Sequence, residues 1–299
     1  MSCSAPINIT NNHSGTCDLK CDFAFDYKDS NTVLINQGNH IQLTYDMAST
    51  APVRYNSDDY QVREVRLYFP SIHKYQNTKA DGEILIVHGS GGRNLIVSVP
   101  IVVSSTQSKS SKFLEQVADY VSKFAPNVSD KASLGNSIWN LNDWIPQKKY
   151  YSYSGTAPYA PCMNGYEYVV FSRSDSATVS ITQDALNKIK NHISSSGIYT
   201  RNNTFFVSKG VAKQGLDELS DDIYISCSPT SVSEEQEVVG ENIRAKGEIQ
   251  TDNFFGEVGR FMKKTDFLNN SVTTILLSAL VMVGVYKLGS FTFSRKRSS

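Results

Sequence analysis

A chain of 299 residues, 40% of them apolar, can bury a sizeable core and fits one large domain plus an appendage. Its 29 basic and 29 acidic residues balance to a formal charge of zero, which excludes the bulk basic signature of a nucleic-acid binder. Tyr, Phe, Val and Ile occur in short runs punctuated by Asn, Ser and Gly, with no long amphipathic period in the first half, so the folded part is expected to be mainly β.

From the N-terminus, Met1-Ser-Cys-Ser-Ala-Pro6 has neither a positively charged n-region nor an apolar h-region, so no cleavable signal peptide is expected. Cys17 and Cys21 have a C-x₃-C spacing that reads as half of a metal site, as a local bridge or as ordinary thiols; no second ligand pair is within easy sequence reach. Strands are predicted over 22–27, 32–35, 41–45, 62–69, 83–87 and 95–103. A helix follows over 112–124, with Phe113, Val117, Tyr120, Val121 and Phe124 on one face. A strand is predicted over 166–171, a helix over 182–192 opened by a Ser180/Thr182 cap, and a last strand over 223–227. Residues 1–228 read as one folded unit without an internal repeat.

From 229 to 270 the chain turns acidic and loop-like through Glu234, Glu235, Glu237 and Glu241. It contains an amphipathic stretch with Phe254, Val258 and Phe261 on one face, which reads equally as an interfacial helix or a solvated stalk. Residues 271–286 are uncharged, and apolar residues resume past Lys287, which can snorkel, so 271–293 is predicted to span a membrane; a buried core helix is the competing reading. The tail 294–299, with Arg295, Lys296 and Arg297, suits a cytoplasmic flank.

The most telling stretch is 65–88. It holds Val65-Arg66-Leu67-Tyr68-Phe69-Pro70 and Glu83-Ile84-Leu85-Ile86-Val87-His88. Together with Ala5-Pro-Ile-Asn-Ile9, the 33–46 segment, Trp139-Asn-Leu-Asn-Asp-Trp-Ile-Pro146 and Tyr150-Tyr-Ser-Tyr-Ser-Gly-Thr156, these pieces resemble, in order, the α-carbonic anhydrases. In that family Phe-His-Phe-His-Trp-Gly and Glu-Leu-His-Leu-Val-His aim three imidazoles at one Zn²⁺. Here the ligand positions hold Arg66, Tyr68 and Leu85, none of which suits zinc at neutral pH. The proton-shuttle position is Asn39, which does not titrate; His40 follows it and, on a regular strand, would face the other way. Where the family has Thr-Thr-Pro-Pro this chain has Pro158-Tyr-Ala-Pro161, and the Glu that orients the first Thr aligns with Ile72. A zinc site relocated to His40, His73 and His88 is disfavoured, because His88 matches a non-ligand core position and His73 a loop.

The resemblance implies a twisted, mostly antiparallel central sheet with short peripheral helices and a conical cleft, holding no metal or other cofactor and performing no catalysis. Secreted members have cysteines where Cys3 and Cys162 stand, which implies a bridge between them as the alternative to two free thiols. Within the family, the inactivated domain, acidic stalk and C-terminal anchor resemble poxvirus virion-membrane attachment proteins that bind chondroitin sulfate. That likeness implies a virion membrane protein with an exposed N-terminal domain, host attachment through a cell-surface sulfated glycosaminoglycan, and oligomers as a possibility. Such a polymer needs clustered cations, and Arg54, Arg66, Lys74, Lys79, Arg93, Lys148 and Lys149 are the candidates on or near cleft-side strands and loops. For each, a solvated surface charge is the competing reading, and the neutral balance argues against the glycan. A host protein receptor, a structural virion role and an active zinc carbonate dehydratase stay open as alternatives.

Overall fold

The computed structural model describes residues 3–17, 21–135, 137–173 and 179–216. The strand expected at 223–227, the stalk, the membrane span and the basic tail lie outside the described residues. Among the described residues no helix is long and apolar enough to cross a membrane.

The described residues build a 14-stranded sheet with a separate two-stranded pair at its side. At its centre Asp58–Tyr68, Gly82–Ser90 and Arg93–Val103 form an antiparallel meander. Ile41–Leu43 and Val33–Asn36 extend it on one side. On the other side Tyr166–Phe171 runs parallel to Arg93–Val103, and Tyr150–Gly155 and Phe206–Ser208 follow antiparallel. The sheet is therefore mixed. The expectation of a mostly antiparallel sheet passes over this central parallel pair, which requires a long crossover, here carrying the helix Lys109–Phe124.

Arg93–Val103 explains why the sheet has two cores. Leu95, Val97, Val99 and Ile101 are fully buried toward one face and Ile96 toward the other, so the strand reads as a near-continuous apolar run. On the first face Phe23, Phe25, Leu67, Ile84 and Ile86 join Trp139 and Trp144, with Phe113 stacked on Trp139 at 4.8 Å between ring centres. On the second face Ala5, Ile7 and Ile9 pack with Tyr68, Leu85, Tyr153 and Tyr168.

A bulge between Val62 and Glu64 decides which side chains reach which face. Tyr60 and Val62 belong to the first core, as do Val65 and Leu67, so the extra residue switches the parity of the strand. Glu64, Arg66 and Tyr68 are thereby turned together to the second face.

Both helices pack against the first core. Lys109–Phe124 starts earlier than the apolar pattern predicts because Ser108 caps it, exchanging side-chain and backbone bonds with Ser111. Gln183–Lys190 is capped by Thr182 and buries Ala185, Leu186 and Ile189. Cys3 and Cys162 are bridged, with Cα atoms 4.9 Å apart, and Cys17 is bridged to Cys21.

Candidate functional site

Arg66 occupies the middle of the second face. Its Cα pairs with Leu85 on one neighbouring strand and with Gln42 on the other. The guanidinium reaches Glu64, two residues back on the same face: Nε donates to Oε1 at 2.8 Å and Nη2 lies 2.6 Å from the same oxygen. Nη1 donates to the Tyr68 hydroxyl at 3.5 Å. Tyr159 roofs the group, its ring centre 3.7 Å from Cζ. The Arg66 and Glu64 side chains are only 16% and 18% exposed, so this is a largely desolvated ion pair. Burial disfavours the charged guanidinium, but Tyr68, Tyr159 and Glu64 outweigh it and hold its pKa above the usual arginine value.

His40 departs from the expectation of a residue turned away from the cleft. Asn39 and His40 lie in the bend between two strands, where strand alternation does not apply, and the His40 ring stacks on Tyr68 with 5.0 Å between centres. Nδ1 donates to the Asn39 side-chain oxygen at 2.6 Å, which leaves Nε2 as a buried acceptor without a protein partner. Burial first, and the Arg66 charge second, lower the His40 pKa to about 3. Asn39 itself is exposed. Pro158 is buried, and Ile72 is fully buried with no polar side-chain atom; its backbone N–H donates to Glu83 at 2.6 Å and its carbonyl accepts from Thr200 at 3.1 Å.

Below this layer lies a polar network with no exposure. The Glu83 carboxylate accepts from the Ile72 and His73 backbones, His73 Nδ1 and Ser98 Oγ. Burial pushes the Glu83 carboxyl up, yet the His73 charge and these donors prevail and hold it below the ordinary value. His73 Nε2 pairs with the Tyr153 hydroxyl at 2.7 Å, and Tyr153 stacks on Tyr168 at 4.3 Å. His88 lies on the other face, where Nδ1 donates to the Leu95 carbonyl at 3.3 Å and Nε2 accepts from Tyr27 at 2.8 Å. Burial lowers its pKa to about 3. His40, His73 and His88 therefore do not converge: one is in a bend, one is committed to Glu83, and one is behind the sheet.

The donor set at Arg66, Tyr68 and Leu85 does not fit zinc. Leu85 has no donor atom, Arg66 is a permanent cation, and burial raises the Tyr68 phenol above its ordinary pKa despite the pull of Arg66. Among the described residues no group of three or more His, Cys, Asp or Glu side chains is placed to hold a metal ion.

Residues 2–205 match the eukaryotic-type carbonic anhydrase family model. The chain belongs to this family. It is 24% identical to dioscorin DB3S of Dioscorea polystachya over 164 residues, covering 54% of this chain and 58% of that protein. Dioscorin dioA3 of Dioscorea japonica is likewise 24% identical over 163 residues, 54% of this chain and 57% of the relative. The chain thus matches somewhat more than half the length of these relatives. Among solved structures, the α-carbonic anhydrase of Photobacterium profundum superposes with a TM-score of 0.57 at 18% identity, over 69% of this chain and 89% of its own. Dioscorin complexed with ascorbate gives 0.57 at 18% over 68% and 84%. The Thermovibrio ammonificans α-carbonic anhydrase complexed with sulfanilamide gives 0.58 at 19% over 69% and 87%. These likenesses establish the carbonic anhydrase fold.

The seven candidate cations do not form one patch in the family cleft. Arg54 pairs with Asp59 at 2.9 Å and Arg93 pairs with Asp58. Both acids lie at the far end of the Arg66 strand, about 23–26 Å from Arg66 at the usual strand rise. Lys148 and Lys149 are exposed and lead into Tyr150–Gly155, four strands across the sheet from Arg66. Lys74 and Lys79 do flank one turn, on either side of the antiparallel Tyr75–Thr78 bridge; burial lowers the Lys79 pKa, partly offset by Glu83 and helped by repulsion from Lys74. Arg173 joins them, with Nη1 on the Thr78 hydroxyl at 3.4 Å. Sequence reasoning passed over Glu64, Tyr159 and Arg173. Strand alternation could have offered Glu64, two residues before Arg66; nothing local announces the other two.

Proposed function

We propose that this chain is a non-catalytic carbonic anhydrase-fold protein of a virion membrane that attaches to a chondroitin-sulfate-like glycosaminoglycan on host cells. The observation that carries the reading is Arg66 at the centre of the family's metal site, ion-paired to Glu64 and roofed by Tyr159. A fixed cation there repels a divalent ion in a low-dielectric setting and takes up the neighbouring Glu64 carboxylate. The acidic stalk, apolar segment and basic tail of the sequence support a membrane anchor. The Lys74, Lys79 and Arg173 group supports polyanion binding, because the ion pairs among the described residues engage other cations.

The test uses the purified full chain on immobilised chondroitin sulfate and heparin across a salt series, with zinc content and CO₂ hydration measured on the same sample. The expected result is no stoichiometric zinc, no hydration above background, and binding whose logarithm falls linearly with the logarithm of salt. Replacing Lys74, Lys79 and Arg173 together with Ala is expected to flatten that slope by about two to three units. Arg66→Ala is expected to change it little, since its charge is already met by Glu64. Absence of binding at low salt would sink the attachment reading.

A further inference from the structure

The face of the sheet opposite Arg66 carries a second concavity, a groove of about 910 Å³ open on one side. Its size is in the range of small-ligand sites. The floor is aromatic and hydroxylic: Tyr55 and Tyr60 are 2% exposed, and the Tyr55 hydroxyl bonds Ser152 Oγ at 2.6 Å. One wall holds Glu167, whose two carboxylate oxygens both accept from Ser154 Oγ at 2.9 Å, so the carboxylate is held in one orientation. Across from it Arg93 is paired with Asp58. Phe206, on the Phe206–Ser208 strand, is 40% exposed and lines the groove, as does the Cys17–Cys21 bridge.

This lining narrows the ligand by elimination. Among the described lining residues the cation is Arg93, which Asp58 already meets, so an anion finds carboxylates and no unmet positive charge. A wholly apolar ligand would strip water from these charges, hydroxyls and amides and return no hydrogen bonds. An uncharged molecule with many hydroxyls and one C–H face answers every part of the lining. We propose that the groove binds an uncharged saccharide, its hydroxyls on the oriented Glu167 carboxylate and the Asp58–Arg93 pair and a ring face against Phe206. This site lies on the opposite face from Arg66, obeys the opposite charge logic, and stands independently of polyanion attachment.

The test applies the full chain to an array of uncharged oligosaccharides ending in glucose, galactose, mannose or N-acetylhexosamine, with chondroitin sulfate beside them, at low salt and at about tenfold higher salt. The strongest uncharged glycan is then titrated calorimetrically against the protein and its variants. The expected result is saturable binding that salt does not weaken and that Glu167→Gln and Phe206→Ala each reduce about tenfold, which corresponds to ~1.4 kcal/mol. Glu167→Gln is isosteric and Phe206 is already partly exposed, so thermal melts close to the parent are expected for both. The proposal is overturned if no uncharged glycan binds, if only sulfated glycans bind, or if binding survives both substitutions.

Discussion

The two faces of the central sheet are made by the same strands and stabilised differently. Toward the helices, Val65, Leu67, Ile84, Ile86, Leu95 and Val97 are fully buried against one another, and apolar contact dominates that layer, with scattered hydrogen bonds such as His88 to Tyr27 and Tyr55 to Ser152. Toward the family cleft, Glu64, Arg66, Tyr68, His73, Glu83 and Tyr153 form hydrogen-bonded and ion-paired layers among aromatic rings. Arg66 is tolerated on this buried face because Glu64 and Tyr159 meet it at contact distance. The apolar face depends on volume and fit, whereas the polar face depends on every partner being present.

Substitution at Glu83 should separate the two faces most strongly. Glu83→Ala leaves His73 and two backbone N–H groups without their acceptor and is expected to cost about 3–5 kcal/mol, read as a fall in the denaturant midpoint. Val97→Ala, which removes only packing atoms, is expected to cost about half as much. An equal loss at the two positions would break the distinction.

The Cys3–Cys162 bridge ties the N-terminal strand to the Pro158 loop beside the polar face, closing a sequence separation of 159 residues. Cys3→Ser with Cys162→Ser is expected to cost about 2–4 kcal/mol under oxidising conditions, and reductant should lower the melting temperature of the parent toward that of the variant. A parent indifferent to reductant would show the bridge to be dispensable.

Acid should destabilise both faces through their neutral histidines. His40 and His88 are lowered from 6.5 to about 3, so the unfolded chain takes up protons first; the stability is complete above about pH 6.5 and is lost as pH falls toward 3. By pH 5 each contributes a loss of about 2 kcal/mol. Glu83, held below its ordinary value, adds to the loss only at lower pH. His88→Gln should reduce the slope between pH 6.5 and 5 by about half in urea titrations; an unchanged slope would assign the acid response elsewhere.

Much of the sheet was legible because its strands repeat apolar residues strongly. The predicted 41–45, 62–69, 83–87, 95–103 and 166–171 all coincide with observed strands. Thr16–Cys17, Val53–Tyr55 and Phe206–Ser208 are two or three residues long, too short for a period to register. Tyr150–Gly155 alternates Tyr and Ser in plain view but was recognised only as a family segment. The bulge at Val62/Glu64 was not readable, since an inserted residue changes no composition and only shifts the register. Tyr159 over Arg66 joins residues 93 positions apart (159 − 66), beyond any local pattern.

The sequence by itself determined which atoms stand at the family's metal positions, because the donor chemistry of Arg66, Tyr68 and Leu85 is covalent and needs no coordinates. Only the tertiary structure decided which charges are already met and which gather. Glu64 holds Arg66, Asp58 holds Arg93, and Lys74, Lys79 and Arg173 surround one turn, because Coulomb attraction and repulsion depend on distances that a bulge and a parallel crossover set.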